Sequence, residues 1–134
     1  MNKKNLLILI AFAVALSIIS LQAVSFAKSD HHTGFLADVM CGKKGVSGGG
    51  FNLKTNPEKH TVACMKMPPC EASGYGIFIK DSDSGEYVFY QFDKKGTELA
   101  NKLLSSTQKK DNMQIKVKGH LDKDTLIVES ITEA

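Results

Sequence analysis

Five side chains with soft or nitrogen donor atoms lie within one thirty-residue window of the chain. Cys41 stands in "DVMCGKKG", and "HTVACMKMPPC" carries His60, Cys64, Met67 and Cys70. Thiolate, thioether and imidazole together are ligands for Cu(I), and thiolate with imidazole also suits Zn(II). The cluster therefore predicts a metal site at these five residues, with copper or zinc as the cofactor.

A short helix is predicted to position three of these donors. Asn56 is a suitable N-cap, Pro57 suits the first helical position, and the prolines at 68 and 69 are expected to end the helix. Residues 57–66 are therefore predicted to be helical. Since side chains four and seven residues apart share a face, His60, Cys64 and Met67 should point the same way.

The rest of the chain reads as five strands and one further helix. Alternating apolar residues predict strands over 34–41, 74–80, 86–92, 113–121 and 125–131, and an amphipathic pattern predicts a helix over 96–107 with Thr97 as a cap. Residues 42–55 are Gly-rich and are interpreted as a flexible connector or lid. This order predicts a mainly β fold, an OB-like five-stranded barrel with a helix between strands 3 and 4 and a Cys/His-bearing helical insertion between strands 1 and 2. An α+β sandwich has the same order and stays open as an alternative.

The N-terminus has the pattern of a secretory signal. Lys3 and Lys4 precede an apolar run, and small residues at Ser25 and Ala27 fit a cleavage site. We therefore predict a signal peptide over 1–27, a flexible lead-in over 28–33, a single OB-like domain over 34–134, and export to a periplasmic or extracellular location. The alternative is an uncleaved anchor, in which case the membrane is contacted only through this segment.

Composition excludes several classes of function. The chain has 17 basic and 14 acidic residues, and every basic residue is a lysine. It therefore has no arginine guanidinium group to bind phosphate or guanine through two parallel hydrogen bonds. Nucleic acid is therefore not an expected partner. No serine lies in a Gly-x-Ser-x-Gly context, and no enzyme class is predicted.

The three cysteines also allow a purely structural interpretation. In an oxidising compartment thiols tend to pair, and a disulfide contributes roughly 2–4 kcal/mol to a small domain. Cys41–Cys70, Cys64–Cys70 and Cys41–Cys64 are all possible pairings, and each leaves one cysteine over. In this alternative, Met67 fills a gap and His60 lies on a helix surface.

Several segments resemble a group of small exported bacterial proteins that have a signal peptide and an OB-like barrel. The most specific shared elements are Asp-x-x-Cys-Gly and His-x-x-x-Cys, here Asp38, Cys41, Gly42, His60 and Cys64. The resemblance implies export, the barrel, and one constellation formed by these residues. Three residues apart on a strand, Asp38 and Cys41 would face opposite sides. Asp38 is therefore expected to orient His60 or cap the short helix rather than to bind the metal.

Together these observations predict an exported small binding protein that holds a soft metal ion. The alternative is a non-metal interaction module with a structural disulfide. The ligand or protein partner of such a module is left open.

Overall fold

The computed structural model describes residues 27–134. The predicted signal peptide, apart from Ala27, lies outside the described residues. Within the described part, no helix is both long and apolar enough to cross a membrane.

Five strands and four helices make up the described chain. The strands are β1 (Asp30–Asp38), β2 (Tyr75–Lys80), β3 (Tyr87–Phe92), β4 (Gln114–Asp122) and β5 (Thr125–Glu133). The helices are α1 (Val39–Lys44), α2 (Val62–Met65), α3 (Pro68–Ser73) and α4 (Lys94–Ser106), and a 3-10 turn covers Pro57–Lys59.

The strands form a single sheet in which every strand has two neighbours. β1 pairs antiparallel with β2 and with β4, and the β2–β3 and β4–β5 pairs are also antiparallel. β3 and β5 pair in parallel, so the pairing runs β1-β2-β3-β5-β4 and returns to β1. The predicted mainly β fold with five strands is confirmed.

The core lies inside this sheet and follows the period-two pattern of the strands. In β4, Ile115 and Val117 are fully buried while the residues between them are exposed. Helix α4 adds Ala100 and Leu104 to this core. Its N-cap is Asp93 rather than the predicted Thr97, since the Asp93 carboxylate accepts the N–H of Gly96 at 3.0 Å.

Strand β1 starts and ends earlier than predicted. Asp30–Thr33, expected to be part of a flexible lead-in, pairs with β4, where His32 lies opposite Val117. The other end was predicted at Cys41, but the chain turns into α1 after Asp38 because the Asp38 side chain caps that helix. Cys41 therefore lies on a helix, not at the end of a strand.

The predicted single helix over 57–66 is wrong. The chain forms the 3-10 turn, passes through His60 in an extended conformation, and begins α2 after Thr61. The Thr61 hydroxyl accepts the N–H of Cys64 at 3.1 Å, which makes Thr61 a new N-cap. The prolines at 68 and 69 begin α3 instead of ending a helix, because proline also suits the first helical positions.

Candidate metal centre

Asp38 and Cys41 are brought to the same side by the start of α1. Asp38 is extended, and its Oδ1 accepts the N–H of Cys41 at 2.9 Å. A cap and the residue three positions later face each other across the first turn. The expectation that these two residues lie on opposite sides of a strand is therefore wrong, and Asp38 caps α1 rather than the later short helix.

Gly42 completes the Asp-x-x-Cys-Gly element for a packing reason. A Cβ at this position would lie 2.4 Å from the ring of Phe89 on β3. No side chain larger than hydrogen fits there without displacing the ring. Gly42 thus allows α1 to pack closely on β3, and it fixes the position of Cys41.

His60 lies buried against Asp38. Only 1% of the histidine is exposed, and its Nε2 is 3.2 Å from Asp38 Oδ2. The N–H direction does not satisfy hydrogen-bond geometry, so within residues 27–134 neither ring nitrogen, nor Asp38 Oδ2, has a hydrogen-bond partner. Buried polar groups are rarely left in this state, and each one asks for an explanation. The expectation that Asp38 stands next to His60 is confirmed, whereas the helix-surface interpretation of His60 is wrong.

Cys41, His60 and Cys64 converge on one point. The two Sγ atoms and one imidazole nitrogen all lie within 4.8 Å of one another. With metal–sulfur bonds of about 2.3 Å, ligand atoms around one ion stand about 4 Å apart. A closure of less than about 1 Å would therefore suffice to coordinate an ion. These residues are brought together by the caps of α1 and α2, Asp38 and Thr61, and by the extended segment that carries His60, not by a shared helix face.

Cys70 lies beside Cys41 and belongs to a second group. The Cys70 and Cys41 sulfurs and an oxygen of Asp38 also lie within 4.8 Å of one another, and all three residues are buried. Cys41 is common to both groups. Cys70 comes from α3.

All three cysteines are free thiols, and residues 27–134 contain no disulfide. Burial, the Asp38 carboxylate and the neighbouring sulfurs raise the pKa of Cys41 to about 12. Burial also raises the pKa of Cys70. Burial acts to raise the pKa of Asp38 as well, but the contact with His60 and the N–H of Cys41 outweigh it and hold that pKa below its ordinary value. The centre thus joins a buried carboxylate to thiols that need a nearby cation to ionise.

A cavity of about 300 Å³ leads from the surface to the thiols. Cys41, Cys64 and Cys70 line it, and the thioethers of Met40 and Met67 line it as well. The prediction that Met67 shares a helix face with His60 is wrong. Met67 nevertheless lines the same cavity as Cys64. Met40 was missed by sequence reasoning, although its position directly before Cys41 was a usable signal.

The Gly-rich segment passes directly over Cys64. A bridge between Val46 and Asn52 closes it into a loop, and a Cβ at Gly48 would lie 3.2 Å from Cys64 Sγ. That distance is tighter than ordinary packing. The glycine therefore lets the loop lie close to the sulfur, and Cys64 also borders a small pocket with Phe51.

Comparison of the chain with family models, with curated proteins and with solved structures returned no match.

Proposed function

We propose that this protein binds one soft metal ion through Cys41, His60 and Cys64. The observation that carries the proposal is the convergence of two sulfurs and one imidazole nitrogen within 4.8 Å, on a histidine that is buried without a hydrogen-bond partner in the described chain. Two thiolates with an imidazole suit Cu(I) and Zn(II). A buried imidazole beside thiols has a physical explanation if its lone pair serves a metal.

Asp38 supports the centre without binding the ion. A carboxylate can only accept hydrogen bonds, so Asp38 favours the tautomer of His60 with its proton on Nε2. Nδ1 then carries the lone pair that a metal needs. Histidine ligands commonly donate their other N–H to a carboxylate in this way.

The fold and the location are part of the same proposal. The pairing order, the parallel β3–β5 pair and the helix between β3 and β4 support an OB-like barrel that carries the centre in its β1–β2 insertion. The signal-like N-terminus supports export to a periplasmic or extracellular location.

The experiment compares metal content in three forms of the full chain. Wild type, Cys64→Ser and His31→Ala are dialysed anaerobically against Cu(I) or Zn(II), and bound metal is counted. Cys64 is chosen because it is only half-buried, so serine should not disturb the core. His31 is an exposed histidine outside the centre and serves as the matched control. We expect one ion per chain in wild type and in the control, and none retained in Cys64→Ser. Wild-type affinity in Cys64→Ser would refute the proposal.

One observation favours a second candidate function. The Cys41 and Cys70 sulfurs lie within 4.8 Å, and a disulfide needs about 2.05 Å, so a modest shift of α1 or α3 would join them. The protein would then be an interaction module stapled across its insertion. In that case all three chains should bind no metal, and wild type should have only one titratable thiol.

A further inference from the structure

The mouth of the cavity is unusually apolar for this surface. Among the described residues, six large hydrophobic side chains are exposed, and three of them, Met40, Val46 and Met67, line this one cavity. The exposed fraction is 37% for Met40 and 51% for Met67. Exposed apolar side chains scattered singly are ordinary, but a group around one opening indicates a use.

Both methionines stand next to thiols along the chain. Met40 directly precedes Cys41 in α1, and Met67 precedes α3, three residues after Cys64 and three before Cys70. The cavity therefore presents thioethers on exposed residues and thiols deeper in, with Cys41 and Cys70 buried. Along this cavity the sulfur ligands change from weak thioethers on exposed residues to strong thiols on buried residues.

The chemistry of these donors selects the metal. Thioether sulfur is a soft, neutral ligand that suits Cu(I), whereas Zn(II) is bound by thiolate, imidazole and carboxylate. A zinc site gains nothing from two methionines at its opening. A Cu(I) site gains a first ligand pair that binds without losing a proton.

We propose that Met40 and Met67 form a loading site that takes up Cu(I) and passes it to Cys41, His60 and Cys64. This inference rests on the proposed function, and it names Cu(I) as the ion. The transfer is a ligand exchange in which copper stays Cu(I). Each thiol that binds releases its proton to water as its Cu–S bond forms, and the thioethers leave unchanged.

The test measures the rate and the endpoint of loading separately. The full chain, expressed with its own N-terminal segment, is mixed anaerobically with Cu(I) held by a chromogenic chelator, and the loss of the chelate colour is followed in time. The variant is Met40→Leu with Met67→Leu, which keeps side-chain volume and removes both thioethers. The matched control is Met113→Leu, a buried core methionine that does not line the cavity.

We expect the double variant to load about tenfold more slowly than wild type and Met113→Leu, while the Cu(I) affinity at the endpoint and the rate of Zn(II) loading stay unchanged. Equal Cu(I) loading rates would overturn the inference. A loss of endpoint affinity without a loss of rate would also overturn it, because the thioethers would then be final ligands. If wild type retains Zn(II) but not Cu(I), this inference fails and the proposed function stands; if it retains neither ion, the proposed function fails.

Discussion

Replacing Asp38 by asparagine should separate metal binding from folding. In wild type, Oδ1 caps α1 through the N–H of Cys41 and Oδ2 faces Nε2 of His60. Asparagine keeps the shape, and its carbonyl oxygen can still accept from Cys41. Its amide nitrogen then faces Nε2 and donates to it, which moves the ring proton to Nδ1. The nitrogen that we propose as the metal ligand then carries a proton and cannot bind the ion.

The magnitude follows from this change of tautomer. Loss of a partner that orients a ligand typically weakens metal binding about 10–100-fold. That range corresponds to about 1.4–2.7 kcal/mol of binding free energy. The apo protein should lose little stability, because the hydrogen bond that caps α1 and the polar contact with His60 are both retained.

A comparison with Asp38→Ala sharpens the result. Alanine removes the cap of α1, which costs about 0.5–2 kcal/mol, and leaves His60 facing no polar partner, which costs about 1–3 kcal/mol. We therefore expect a loss of about 1.5–5 kcal/mol in the free energy of unfolding of Asp38→Ala.

The assay combines a competition titration with a chelator and urea unfolding of the metal-free chains. Wild-type metal affinity in Asp38→Asn would refute the assignment of Asp38 as the residue that orients His60. Equal stability of Asp38→Ala and wild type would refute its assignment as a cap.

Three further predictions follow from the same geometry. The pKa of Asp38 is lowered on folding, so its contribution to stability is complete above the ordinary carboxyl pKa of about 3.9 and is lost as the pH falls through the lowered folded pKa. In urea unfolding from pH 5 to pH 2, the free energy of unfolding should therefore fall less in Asp38→Asn than in wild type. Diamide accepts two electrons and two protons from the thiols of Cys41 and Cys70, and this oxidation of the apo protein should abolish metal binding. Metal added first should slow the oxidation. Metal binding by the fully oxidised chain would contradict the role of Cys41. Gly42→Ala should lower the free energy of unfolding by about 1–3 kcal/mol, because its Cβ would overlap the Phe89 ring, and an unchanged urea midpoint would contradict this account of the packing.

The regular elements could be predicted because local patterns determine them. In β4, buried Ile115 and Val117 alternate with exposed lysines, which is a pattern that only a strand with one face in the core satisfies. The chain order of five strands with a helix before the fourth followed from such patterns alone. For these five strands and α4 only the boundaries shifted, by up to four residues at the start of β1, whereas the helices between β1 and β2 were not predicted correctly.

The centre could be predicted in its membership but not in its geometry. Cys41, His60 and Cys64 were identified by donor chemistry, yet the helix face predicted to carry His60, Cys64 and Met67 does not exist. Two single side chains make the backbone differ from the predicted course, since Asp38 ends β1 and Thr61 starts α2. Both accept one hydrogen bond from a backbone N–H. From the sequence alone, a residue of this kind fits the end of the preceding element as well as the start of the next.

Proline and burial account for the remaining differences. The pair at 68 and 69 was expected to end a helix and instead begins α3, because the same missing N–H that breaks a helix interior is harmless in the first turn. His60 was identified as a candidate ligand, but its burial depends on contacts between distant segments. Sequence periodicity carries no signal for such contacts.

Native intact mass spectrometry tests the central claim most directly. The protein is purified from the cells that express it without chelator or reductant, and its mass is compared with the masses expected for the chain with and without residues 1–27. The account predicts a mass that carries one metal ion and lacks one proton for each positive charge of that ion, because the ion replaces protons in the charge balance. A mass two hydrogens below the expected value with no metal would show a disulfide in place of the site, and it would contradict the assignment of Cys41, His60 and Cys64 as a metal centre.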